Sequence, residues 1–125
     1  MASVLVVDDD ADAAEALCRF LRKAGHTVEC VANGREALAS ILTAAPNAVV
    51  LDLAMPEMDG ARFLEVLRSY LRLQSLPVVL WTALPHSPIL DKARRHGVAA
   101  VHFKPSASYR EILRSIEQAM TGPPN

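Results

Sequence analysis

No stretch of these 125 residues carries the run of about 20 apolar residues that a membrane-spanning helix needs, and no apolar targeting segment opens the chain. Asp8 interrupts the first hydrophobic run almost at once. A net charge of -1 leaves no basic arm or stripe for nucleic acid or an anionic membrane surface. Cysteine is scarce: Cys18 and Cys30 stand in apolar surroundings, with neither a CxxC pair nor the spacing of a zinc site. We expect two free, buried thiols in a reducing compartment, and hence a soluble cytoplasmic domain. The four histidines offer no metal-binding spacing either. His26 and His86 are expected in exposed loops and His96 at a helix end. Internal repeats, low-complexity blocks and interdomain linkers are also missing.

What the chain does have is alternation. With 51% hydrophobic and 22% charged residues it has the composition of one globular domain. Short valine-rich runs at Val4–Val7, Val28–Val31, Ala48–Leu51, Val78–Trp81 and Val98–Phe103 read as strands. Between them the apolar residues fall at helical spacing. The first helix uses Ala14, Leu17, Cys18 and Leu21, with a start signal at Asp12 and Glu15 and a stop at Gly25. The second follows Asn33-Gly34, uses Ala37, Leu38, Ile41 and Leu42, and ends before Pro46. The third runs from Ala61 to Leu71 on Phe63, Leu64, Leu67 and Leu71. A short fourth, Ile89 to His96, follows Pro85 and Pro88 and stops at Gly97. The fifth uses Ile112, Leu113, Ile116, Ala119 and Met120, and the tail at residues 122–125 is expected to fray.

Five strands alternating with five helices imply an α/β domain, a doubly wound parallel sheet covered on both faces. Ligands of such sheets bind beyond the carboxyl ends of the strands, so those ends hold the candidate site. The first strand ends on Asp8-Asp9, the third on Asp52, the fourth on Thr82 and the fifth on Lys104-Pro105. Crowded carboxylates raise one another's pKa unless a cation neutralises them, and a hard divalent ion such as magnesium suits an all-oxygen set. With a lysine and a hydroxyl opposite, the set describes a receptacle for a phosphoryl group. Each residue also has a simpler account. Capping and the helix dipole explain an aspartate at a helix start, which covers Asp10 or Asp12. They do not explain Asp8, which is still joined to the strand. Trp81, Leu53 and Phe103 read as packing.

In their order and spacing, "VLVVDDD", "VVLDLAMPEMDG", "PVVLWTA" and "VHFKP" resemble a response-regulator receiver domain of two-component signalling; the resemblance runs from Val4 to about Met120 and implies one domain over residues 1–121. The resemblance implies the flavodoxin-like strand order 2-1-3-4-5. It also implies Asp52 as phosphoacceptor, with Asp8, Asp9, Asp52 and the backbone carbonyl of Ala54 around Mg2+. Asp8 would act through water. Thr82 and Lys104 would bind phosphoryl oxygens, and a cis peptide would precede Pro105. Met55-Pro56 and Asp59-Gly60 would shape the loop after the acceptor, Gly60 supplying the turn into the third helix. The implied partners are a histidine kinase or histidine phosphotransfer protein and a downstream protein effector. The implied chemistry is that of an autocatalytic phosphoacceptor rather than an enzyme, without direct contact to nucleic acid or insertion into a membrane.

Three departures from the family's pattern involve four positions. Val101 stands three residues before the lysine, where many receivers carry an aromatic residue. His102, one step along the strand, should point to the other face. Ala54 and Leu84, two residues after Asp52 and Thr82, can hold no water, which leads us to expect slow self-dephosphorylation. Ser106 replaces a common phenylalanine. We expect Tyr109, Arg110 and Glu111 on the face of the fourth helix, fifth strand and fifth helix, where receivers dimerise or dock. The competing readings are a pseudo-receiver that binds a partner constitutively and a magnesium phosphatase with an aspartyl nucleophile. Ala54 argues against the phosphatase, because it occupies the place of the second carboxylate such enzymes use. The opening "MASVLVV" reads as a natural start. No effector segment follows Met120 in this sequence, which leaves open a stand-alone receiver or a piece of a longer regulator or hybrid kinase.

Overall fold

The chain alternates strand and helix throughout, and the computed structural model describes residues 2–84 and 86–121. In order these are β1 (Ser3–Val7), α1 (Ala11–Lys23), β2 (Thr27–Val31), α2 (Gly34–Thr43), β3 (Ala48–Leu51) and α3 (Gly60–Arg68). A 3-10 turn (Leu71–Leu73), β4 (Val78–Thr82), α4 (Pro88–Arg95), β5 (Ala100–Phe103) and α5 (Tyr109–Thr121) follow. The strands form one parallel sheet in the order β2-β1-β3-β4-β5, the expected flavodoxin-like arrangement. The expected frayed tail, residues 122–125, and Pro85 lie outside the described residues.

Two cores sandwich the sheet, because successive strand residues point to opposite faces. One holds Leu5, Val7, Val49, Leu51, Val78 and Leu80 beneath α2, α3 and α4. The other holds Val4, Val6, Val50, Val79 and Trp81 beneath α1 and α5. All residues of β3 and β4 are buried, which their unbroken apolar runs require.

Helix starts follow side-chain capping. Asp10, Asn33, Asp59 and Ser87 accept from the backbone N–H three residues on in α1, α2, α3 and α4. α1 therefore begins one residue after Asp10, and Asp12 lies in its first turn rather than at its cap. β5 begins later than the valine pattern suggests: the amide of Ala99 reaches Val78 O, but pairing starts at Ala100.

Other expectations need correction. α3 stops at Arg68, so Leu71, expected on its apolar face, is 84% exposed and Leu73 takes the buried place. The guanidinium of Arg68 donates to the carbonyls of Leu73, Leu76, His96 and Gly97, and these bonds turn the chain away from the helix axis. His26 is not in an open loop: its side chain is 8% exposed and pairs through Nε2 with Glu117 at 3.1 Å. His86 is exposed and His96 is the C-cap of α4, as expected. Cys18 and Cys30 are joined in a disulfide, not free. The buried face of α1 packs on β2 and brings the two sulfurs together, a pairing that apolar patterning alone does not disclose. The cysteine-based argument for a reducing compartment falls with it. Among the described residues no helix is long and apolar enough to cross a membrane.

Candidate phosphoryl-acceptor site

The carboxyl ends of β1, β3, β4 and β5 bring Asp8, Asp9, Asp52, Thr82 and Lys104 to one edge of the sheet. Asp8 extends β1 by one residue, its amide bonded to Val31 O, and Asp52 extends β3, its amide bonded to Val7 O. Ladder bonds thus fix both carboxylates. Asp8, Asp52 and Thr82 are the buried polar residues of the described chain, whereas Asp9 is exposed.

Carboxylate oxygens of Asp8, Asp9 and Asp52 lie within 4.8 Å of one another. The facing cation is Lys104, whose Nζ is 2.6 Å from Asp8 Oδ2 and 3.7 Å from Asp52 Oδ2. One ammonium against three carboxylates leaves an excess of negative charge among hard oxygen donors. That is the chemistry of a site for a divalent cation such as magnesium, and the residues fit one.

Burial pushes the Asp52 carboxyl above its ordinary value; Lys104 opposes this, the charge of Asp8 adds to it, and the Ala54 amide and Thr82 hydroxyl pull it back. The amide of Ala54 donates to Asp52 Oδ1 at 3.3 Å, and that of Leu84 donates to the Thr82 hydroxyl at 3.1 Å. Lys104-Pro105 is a cis peptide.

The loop after Asp52 closes onto it. Gly60 N donates to Leu53 O at 2.9 Å, and a Cβ on Gly60 would lie 2.8 Å from the carbonyl oxygen of Asp52. Gly60 thus stands at the turn into α3 because two backbones approach closely there. The left-handed residue of the loop is Glu57, at φ 67°.

The residues flanking the site divide between the two faces. Asp10 caps α1 through Ala13 N at 3.2 Å, and its own amide donates to Asp8 Oδ1 at 2.9 Å. Val101 packs toward α3 and α4, while His102 faces α5, its Nε2 2.8 Å from Ser115 Oγ. Tyr109 does not join the face of α4, β5 and α5: its ring packs against Phe20 and Trp81 on the α1 side. Trp81, read from the sequence as packing alone, also lies beneath Lys104, with Nζ 4.5 Å from its ring centroid. No local motif signals that contact, since it links adjacent strands across the sheet.

A family model for the response regulator receiver domain matches residues 4–117. The chain belongs to that family. The receiver is 45% identical over 80 residues to response regulator MprA of Mycolicibacterium vanbaalenii, covering 64% of this chain and 34% of the relative. It is 33% identical over 115 residues to an uncharacterised 14.6 kDa protein of Leptolyngbya boryana, covering 92% and 87%. A protein-glutamate methylesterase/protein-glutamine glutaminase of Archaeoglobus fulgidus is 35% identical, covering 93% of the receiver and 35% of the relative. The receiver thus spans about a third of the length of the first and third of these relatives. Among solved structures, the signal receiver domain of a histidine kinase from Syntrophus aciditrophicus superposes with a TM-score of 0.88 at 28% identity, covering 98% and 92%. Chemotaxis response regulator CheY4 of Vibrio cholerae gives 0.86 at 28%, covering 95% and 98%.

Proposed function

We propose that this receiver is a phosphorylation-activated switch whose Asp52 accepts a phosphoryl group. The donor is the phosphohistidine of a histidine kinase or histidine phosphotransfer protein, or a small acyl phosphate. The observation that carries the reading is the buried Asp52 carboxylate, 3.7 Å from Lys104 Nζ and grouped with Asp8 and Asp9.

A carboxylate whose pKa is raised by burial is a better nucleophile than a solvated one. An Asp52 oxygen attacks phosphorus, the bond from phosphorus to the donor nitrogen or oxygen breaks, and the donor leaves with that electron pair. The transferred group brings negative oxygens into a site of buried carboxylates. Lys104 supplies a fixed positive charge for one of them and the Thr82 hydroxyl a hydrogen bond for another. Asp8, Asp9, Asp52 and the Ala54 carbonyl would hold Mg2+, which when bound neutralises charge on the transferring oxygens. Thr82 changes partner on phosphorylation, and the loops beyond β4 and β5 follow. Output then passes to a cytoplasmic protein effector, or to a second copy, through the face of α4, β5 and α5. Ala54 and Leu84 offer no side chain to orient an attacking water, so we expect a phosphoryl lifetime of hours; a half-life of seconds by phosphate release would overturn this.

The test is incubation with magnesium and acetyl phosphate beside Asp52→Asn. The parent gains the mass of one phosphoryl group and the variant gains none. A parent that gains nothing, even with candidate kinases, and that does not respond to beryllofluoride would instead be a constitutive interaction module.

A further inference from the structure

We propose that Trp81 is a positioning residue for Lys104, its indole face holding the ammonium at the acceptor site. The proposal deepens the phosphoacceptor reading and rests on it for its kinetic consequence.

Lys104 carries its charge on a flexible four-carbon stem, and its side chain is 16% exposed. Its shortest contact is with Asp8, not with the acceptor. Any cation that engages Asp8 competes for that partner, and an ammonium held by Asp8 alone would then be free to swing into solvent. The third contact is the indole: Nζ lies 4.5 Å from the Trp81 ring centroid, within the range in which an aromatic face attracts a cation. This attraction survives the loss of Asp8, because the ring binds neither metal nor phosphoryl oxygen.

The ring itself is held. Trp81 is 5% exposed, Tyr109 meets it edge-on with centroids 6.2 Å apart, and Phe20 backs Tyr109 at 5.7 Å. The strand also sets its direction. Trp81 and Thr82 are neighbours on β4, so Thr82 serves the site while Trp81 faces the α1 and α5 core. Trp81 pairs with His102 and Thr82 with Phe103, which places Lys104 just beyond the register of both. The ammonium therefore rests on a platform built from α1, β4 and α5, beside a cavity of about 580 Å³ lined by Asp10, Trp81, Ala83 and Tyr109.

The test compares the parent with Trp81→Phe and Trp81→Leu on two readouts, each protein first checked for folding by circular dichroism. The first is the NMR shift of the Lys104 ε-methylene, which a ring face moves upfield. We expect that displacement in the parent with and without saturating magnesium, reduced in Trp81→Phe and absent in Trp81→Leu. The second is the rate of phosphoryl incorporation from acetyl phosphate at saturating magnesium. It should fall about five- to tenfold in Trp81→Leu and stay within about twofold in Trp81→Phe, as loss and retention of one cation–π contact predict. A merely structural role would lower thermal stability in both variants and leave the rate of folded protein unchanged. Parental rates in folded Trp81→Leu overturn the proposal. So does a Lys104 methylene in the parent without the upfield shift, a result that stands even if Trp81→Leu does not fold. A parent that accepts no phosphoryl group refutes the phosphoacceptor reading, and with it the kinetic consequence proposed for Trp81. The NMR comparison still decides whether the indole holds the ammonium.

Discussion

Lys104 and Asp8 form the tightest charged contact of the site, Nζ to Oδ2 at 2.6 Å, while the acceptor Asp52 stands 3.7 Å from the same ammonium. A single cation thus serves two buried carboxylates. Lys104→Met should destabilise the protein by about 2–3 kcal/mol at neutral pH, because it leaves both without their counter-charge. Added magnesium should restore part of that loss by binding the folded state alone. Urea unfolding with and without magnesium measures both effects.

Asp52 should give a pH-dependent signature of opposite sign to a salt-bridged carboxylate. Its folded pKa lies above the unfolded one, chiefly through burial, so the native state binds the proton more tightly. The contribution to stability is full below the unfolded carboxylate pKa and is lost as pH rises through the raised folded value. Asp52→Asn removes that loss. We expect the variant to melt above the parent at pH 7.5 without magnesium, with the gap narrowing as the pH falls into the carboxylate range. Thermal melts across that range decide it.

Asp9 and Asp10 are sequence neighbours with separable jobs. Asp10→Ala removes the cap on Ala13 N and should cost about 1 kcal/mol, with phosphorylation retained. Asp9→Ala leaves the cap and should abolish magnesium-dependent phosphorylation, with little change in metal-free stability because the side chain is exposed. Unfolding curves and phosphoryl incorporation, measured on both variants, show whether the two properties part.

Gly60 and Gly25 distinguish crowding from backbone strain. A Cβ at Gly60 meets the Asp52 carbonyl and Leu53 Cα, both at 2.8 Å, and backbone cannot step aside as a side chain would. At Gly25 a Cβ meets nothing, and only its φ of 101° resists substitution. Gly25→Ala should cost about 1 kcal/mol and leave acceptor chemistry untouched. Gly60→Ala should cost about 2 kcal/mol or more and slow phosphoryl acceptance as Asp52 is displaced. Denaturation and acetyl phosphate kinetics on the pair provide the comparison.

The sheet was legible because parallel strands buried on both faces must be written as unbroken apolar runs, and β1, β3 and β4 are. The site was legible for a related reason: Asp8, Asp52 and Thr82 each follow such a run immediately, Asp9 comes one residue later, and Lys104 closes the shorter run of β5. Features that depend on contacts between distant segments were not. The Cys18–Cys30 bond, the His26–Glu117 pair and the seat of Lys104 on Trp81 each join separate elements, and no local pattern encodes them. Leu71 misled for a simpler reason: its spacing continues the helical stripe, but the carbonyl bonds of Arg68 redirect the chain first.

That arginine has a mechanical consequence. Its four carbonyl bonds clamp the C-terminal ends of α3 and α4 and the turns beside them, at the edge of the sheet remote from Asp52. α4 is therefore stapled to α3 at its C-terminal end, while the Lys92–Glu65 ion pair at 3.6 Å and the buried Leu90 and Ala93 fasten the rest of its length, so the two helices act as one brace across that face of the sheet.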